Sequence, residues 1–150
     1  MVSRVAAAQT ERVLTKPSAR INHPFSSING FRELPDGRVM VSDGIDQAVL
    51  IADFSKTRLD TLGRSGQGPG EYKSPDALYP LPGDATLLVD LGNGRMSVFG
   101  PDGKYRESFP MTSGSPGGGS FSIVVPRATD KSGRLYYQPM GSQRGDSAVV

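Results

Sequence analysis

The sequence contains no cysteine and a single histidine, His23. Without thiols there is no disulfide, no thiolate metal site and no cysteine nucleophile, although this names no cellular compartment. One imidazole, next to Pro24 and ahead of the patterned part of the chain, excludes a histidine zinc cluster and an internal Ser–His pair. Long apolar runs are missing too, and nothing approaches the about 20 residues of a membrane-spanning helix. Charges of one sign are never bunched: 17 Lys and Arg are spread along 150 residues against 15 Asp and Glu, for a net charge of +2. That spread argues against a nucleic-acid partner or a membrane-binding surface. Met1 to Gln9 ends in small residues, as a signal-peptidase site does, but its apolar run is only Val5 to Ala8. An export signal needs an apolar core of about 7 to 15 residues, so no complete signal is read here.

What the chain has in quantity is turn formers, 19 Gly and 12 Pro beside 36% hydrophobic residues. This is too turn-rich for a helical bundle and points to a strand-rich chain of one domain at most. A repeat organises it. Aligning Leu34-Pro35-Asp36-Gly37 with Leu81-Pro82-Gly83-Asp84, 47 residues on, places Asp43 on Asp90, Asp46 on Asn93, Val49 on Met96 and Ile51 on Val98 without a gap. A period in the 40s is that of propeller blades.

Each repeat reads as four short strands. The first is predicted over Phe25 to Leu34, Val39 to Val41, Ala48 to Ala52 and Arg58 to Leu62. The second is predicted over Ala77 to Leu81, Thr86 to Val89, Arg95 to Phe99 and Tyr105 to Phe109, with a hairpin turn at Gly100-Pro101-Asp102-Gly103. A third is predicted to start with Phe121 to Val125 and to continue through Gly133 to Tyr137. Matching Ser147-Ala148-Val149-Val150 to Gln47-Ala48-Val49-Leu50 makes its hairpin loop about four residues longer. Gly114 to Ser120 reads as a flexible loop between repeats.

The sequence between repeats, Gly63-Arg64-Ser65-Gly66-Gln67-Gly68-Pro69-Gly70-Glu71-Tyr72, suits a crossing segment. Its glycines permit backbone angles closed to other residues, and Pro69 limits the freedom that results. A phosphate cradle lacks its lysine and hydroxyl here. Asp43 and Asp90 stand where a strand ends and the chain reverses, so their carboxylates are expected to accept backbone N–H groups and hold the loop. Arg95 is expected to pair with a loop carboxylate or reach along a sheet edge. Arg144-Gly145-Asp146 matches an integrin-recognition tripeptide, which arises often by chance, and Tyr136 and Tyr137 fall on opposite faces of one strand.

These motifs carry a resemblance. Val89 to Phe99 resembles the VxDxxNxRIxVF core of NHL-type repeats, with one loop residue dropped and Met96 standing in for Ile. Gly63 to Tyr72 is similar to the GxxGxGPGEF connector of bacterial six-bladed β-propeller proteins, and the likeness covers about residues 25–150. The first repeat departs from it at Asp46 and Ala48, where Asn and Arg are usual, and the third is degenerate.

The resemblance implies an all-β fold of four-stranded antiparallel blades, about three present of six: residues 25–62, 75–109 and an incomplete 121–150. Residues 1–24, with β-like pieces at Arg12 to Leu14 and Ala19 to Ile21, would form a ring-closing strand. Six blades of this period need about 280 residues, so the chain is expected to be a piece of a longer protein or to self-associate to cover its open faces. The implied function is a non-catalytic scaffold in an extracytoplasmic setting, with a protein, peptide or carbohydrate ligand and no cofactor. The alternative is a lactonase-like, metal-dependent hydrolase or lyase holding Ca2+ in a central channel, for which the inner-strand candidates are Asn29, Glu33 and Asp76. Asp43, Asp90, Asn93, Arg95, Gly66, Gly68, Pro69 and Gly70 are read as structural repeat positions.

Overall fold

Turn chemistry sets the hairpins. In Leu34-Pro35-Asp36-Gly37 the Gly37 N–H donates to the Leu34 carbonyl at 2.9 Å, with Gly37 at φ 84°, a left-handed angle glycine takes at little cost. Gly100 to Gly103 closes in the same way, with Gly103 at φ 75°. At Leu81-Pro82-Gly83-Asp84 the last two residue types are exchanged, and Asp84 itself takes φ 59° in a short 3₁₀ turn, Pro82–Asp84.

The computed structural model describes residue 13 and residues 15–113, 122–137 and 147–149. Among them the chain is all-β. The first sheet is an antiparallel meander of β1 (Ile28–Glu33), β2 (Val39–Asp43), β3 (Ala48–Asp53) and β4 (Arg58–Thr61). A short parallel pair, β5 (Arg64–Ser65) and β6 (Glu71–Tyr72), forms the connector. The second sheet repeats the meander with β7 (Pro75–Pro80), β8 (Thr86–Asp90), β9 (Arg95–Phe99) and β10 (Tyr105–Pro110). A second short pair, β11 (Thr112–Ser113) with β12 (Ser122–Ile123), leads to a third sheet of β13 (Pro126–Thr129), β14 (Leu135–Tyr137) and β15 (Ser147–Val149). None of these described sheets closes on itself.

The 47-residue offset holds in register. Val39 faces Ala52 as Thr86 faces Phe99, and Asp43 faces Ala48 as Asp90 faces Arg95. The third sheet corrects the sequence reading twice. Its inner strand is Pro126–Thr129, not Phe121 to Val125, because Ser122–Ile123 pairs with Thr112–Ser113 instead. Tyr137 faces Ser147 as Val41 faces Leu50, so Ser147 takes the place of Leu50 rather than Gln47, and the hairpin gains one residue, not four. At the other end β1 starts at Ile28 rather than Phe25, whereas β7 starts at Pro75, the first residue of the repeat read over 75–109. No strand precedes Ile28 among the described residues, so Ala19 to Ile21 is not one; Arg12, Leu14, Gly114 to Ser120, Phe121 and Arg144 to Asp146 lie outside the described residues.

Two cores separate the three sheets. Leu34, Met40, Val49 and Ile51 of the first sheet meet Leu78, Leu88 and Phe99 of the second, with Tyr72 between them. The counterparts of that first set 47 residues on, Leu81, Leu87, Met96 and Val98, turn instead toward Val125 and Leu135 at the third sheet. Each buried aliphatic side chain contributes about 1.5–3 kcal/mol. Gly30 of β1 lies tightly against β7, and a Cβ built there would stand 2.9 Å from the Asp76 carbonyl oxygen and 3.1 Å from the Ala77 Cα. Gly30→Ala is therefore expected to destabilise the protein by about 1–3 kcal/mol, as overpacking against fixed atoms does. An open strand position would show the opposite sign, through reduced unfolded-state entropy. The urea midpoints of the two proteins decide it.

Candidate functional site

The repeat aspartates lie at the ends of β2 and β8, fully buried. Asp43 accepts the Ser26 N–H on Oδ2 at 2.7 Å and the Ser27, Ile45 and Asp46 N–H groups on Oδ1 at 3.1, 3.2 and 3.1 Å. Burial pushes its carboxyl pKa up, but the backbone donors outweigh this and hold it below the ordinary carboxylate value. Asp90 accepts the Lys73, Ser74 and Asn93 N–H groups on Oδ1 at 3.1, 2.9 and 3.4 Å, and the Asn93 side chain on Oδ2 at 2.7 Å. Both carboxylates are thus saturated by donors that tie a loop to the start of an inner strand.

Asn93 and Arg95 clamp the glycine-rich connector. Asn93 Nδ2 donates to the Gly66 carbonyl at 2.8 Å, while the Arg95 guanidinium donates to the carbonyls of Gln67, Gly68 and Glu71 at 3.1, 2.7 and 2.8 Å. Its Nε approaches Asp90 only to 3.9 Å. Glu71 folds back to accept the Gly68 N–H at 2.7 Å and Arg64 Nε at 2.6 Å. It fills the space beside Gly66 that a Cβ on that residue would need. Gly70, after Pro69, holds φ 73° against Tyr105. The connector ends in Tyr72, which is fully buried. Its hydroxyl accepts the Val49 N–H at 3.0 Å and donates to the Leu62 carbonyl at 2.6 Å. Burial raises its pKa, against the bond from Val49. In the first sheet Asp46 and Ala48 stand at the clamp positions, and Asp46 accepts the Ser26 hydroxyl at 2.7 Å.

Two of the three channel candidates come together. Asn29 and Asp76 occupy the same repeat position in β1 and β7, and Asn29 Nδ2 donates to Asp76 Oδ1 at 3.3 Å. Ser27 Oγ donates to Asn29 Oδ1 at 2.9 Å. Glu33 is exposed at the far end of β1, about 13 Å from Asn29 at the usual strand rise. No group of three or more His, Cys, Asp or Glu able to hold a metal occurs among the described residues. One amide and one carboxylate fall short of the 6–8 oxygens calcium takes.

Sequence reasoning missed Arg32. It leaves β1 buried and donates through Nη1 to the Ala85 carbonyl and Thr86 Oγ1 of the second sheet. Burial lowers its pKa, against the attraction of Asp84. Tyr79, its counterpart 47 residues on, sends its hydroxyl to the Pro126 carbonyl of the third sheet at 2.8 Å. The shared signal was a long side chain with a polar tip at one repeat position. Beside these ties lies an open groove of about 450 Å³, lined by Arg32, the Pro80–Asp84 turn and Thr129 to Lys131. Thr129 Oγ1 donates to the Pro80 carbonyl at 2.7 Å across it. Asp130 is engaged by Ser132, Arg134 and Tyr136, which hold its pKa far below the ordinary value. Asp84 and Lys131 are exposed and form no ion pair among the described residues. His23 stacks edge-on against Phe25 at 4.6 Å.

No family model matches the chain, and no curated protein does. A solved structure it resembles is that of a Bacteroides fragilis protein inferred to be exported, at TM-score 0.57 and 14% identity over 88% of this chain. The chain spans 34% of that protein's length. At this identity the likeness is one of fold alone.

Asp43→Asn keeps the side-chain size but replaces an acceptor oxygen with a donor, and is expected to cost about 1–3 kcal/mol at pH 7. Because the folded pKa of Asp43 lies below its unfolded value near 3.9, its contribution is present above that value and lost as pH falls through the folded pKa. The acid branch of the stability curve, read from urea midpoints between pH 7 and 2, should therefore be shallower in the variant.

Proposed function

We infer that the chain forms part of a β-propeller of the bacterial six-bladed, NHL-like kind, and that it acts as a non-catalytic scaffold outside the cytoplasm. The ring reading is supported by the recurrence of register and alternating faces at 47 residues. The extracytoplasmic reading draws on the exported neighbour; no helix among the described residues is long and apolar enough to cross a membrane.

The observation that carries the scaffold reading is the groove, where the corresponding ends of three successive sheets meet. It offers the exposed Asp84 carboxylate, the exposed Lys131 ammonium group, neither in an ion pair among the described residues, and backbone carbonyls, while the repeat carboxylates are occupied by N–H groups. Opposite charges at a shallow, partly apolar groove suit a polar extended ligand, a peptide or a carbohydrate.

The test is a peptide and glycan array probed with the wild type, Asp84→Gly and Lys131→Ala; glycine keeps the positive φ at position 84. A ligand held here should lose about tenfold or more in affinity in either variant, the equivalent of about 1.4 kcal/mol. Unchanged binding by both would move the site elsewhere. The Asn29–Asp76 contact favours a second reading, the metal-dependent hydrolase or lyase. Calcium binding together with lactone hydrolysis, both lost in Asp76→Ala, would replace the scaffold by the enzyme.

A further inference from the structure

The outer face of the first sheet is apolar and, among the described residues, only partly covered: Val41 and Ala52 are buried, while Phe31, Ile28 and Phe54 are exposed. Ile21, Phe25, Ile28, Phe31, Val41 and Phe54 surround a hollow of about 220 Å³ on it. The repeat says what kind of surface this is. Phe31 and Val41 are the counterparts, 47 residues earlier, of Leu78 and Leu88, the side chains through which the second sheet packs on the first. Leu78 is 6% exposed there, whereas Phe31 is 74% exposed. The first and second sheets each present the same stripe to the sheet that follows, Leu34, Met40, Val49 and Ile51 and then Leu81, Leu87, Met96 and Val98, and the hollow is the kind of face on which such a stripe packs.

Phe25 extends the correspondence. It stands 47 residues before Tyr72, and each is followed by two N–H groups that bind the repeat aspartate, Ser26 and Ser27 on Asp43, Lys73 and Ser74 on Asp90. Tyr72 enters the sheet that precedes its own; Phe25 lines the hollow.

We propose that this hollow seats a further four-stranded sheet of the same repeat, carried on the same polypeptide, and that Phe25 is the side chain that enters it. The partner face is a stripe like Leu34, Met40, Val49 and Ile51. A source within the polypeptide agrees with a fold neighbour of which this chain spans only 34%. The proposal rests on the repeat-stack part of the propeller reading and deepens it.

With no native cysteine in the 150 residues, Phe31→Cys gives a clean probe, and Phe54→Cys a second. Maleimide labelling is measured in the 150-residue chain and in the polypeptide as its gene encodes it. The thiol should react freely in the former and about 100-fold more slowly in the latter, at every protein concentration, since protection follows the local opening equilibrium. Equal rates in both would overturn the proposal. So would protection already present in the dilute 150-residue chain, which would mean cover by its own residues, or protection that fades on dilution, which would mean a second copy. X-ray scattering of the gene-encoded polypeptide separates the two readings: a protected thiol in an open stack keeps this docking face and removes the closed ring.

Discussion

The first two sheets in this molecule each have two apolar faces, and the other features follow from the need to cover both. Neighbouring residues of one strand serve different cores: Leu88 packs toward the first sheet and Leu87 toward the third. Strands buried on both sides read as continuous apolar runs rather than alternating ones, as in Val49-Leu50-Ile51-Ala52 and Leu87-Leu88-Val89. A lone sheet of this composition would leave one face in water. Stability is therefore a property of neighbouring pairs, as in other repeat architectures.

Polar groups are placed to hold those pairs. The carboxylates of Asp43 and Asp90 fix the start of an inner strand to the hairpin beside it. Ser42 Oγ donates to the Asp76 carbonyl of the next sheet, and Arg32 and Tyr79 make longer reaches of the same kind. The connector clamped by Asn93 and Arg95 delivers Tyr72 into the gap between sheets. Residues with the look of a catalytic cluster are thus the fasteners of the stack.

Most of the first two sheets was legible in the sequence, because Pro and Gly mark the turns and both repeats keep one spacing. The third was less so, for physical reasons. The apolar run Phe121 to Val125 reads as a strand, yet the strand starts at Pro126, proline being tolerated as the first residue of an edge strand, the place Pro75 also takes in β7. The hairpin after Tyr137 slipped by matching Ala-Val pairs across a polar loop that supplies little register information. The fasteners divided in the same way. Asp43 and Asp90 stood at turn positions where local chemistry suggests backbone capture. Arg32 and Tyr72 bond to carbonyls and N–H groups of another sheet, which no local pattern reveals.

The most direct measurement of the pairwise account is native-state hydrogen exchange on Leu88→Ala and Leu87→Ala, two adjacent truncations of similar volume in β8. Leu88→Ala should lower protection in β2 and β3 of the first sheet and spare β14, while Leu87→Ala should lower protection at β14 and spare β2 and β3. Equal loss in all three strands from both variants would contradict it, because the sheets would then share one undivided core.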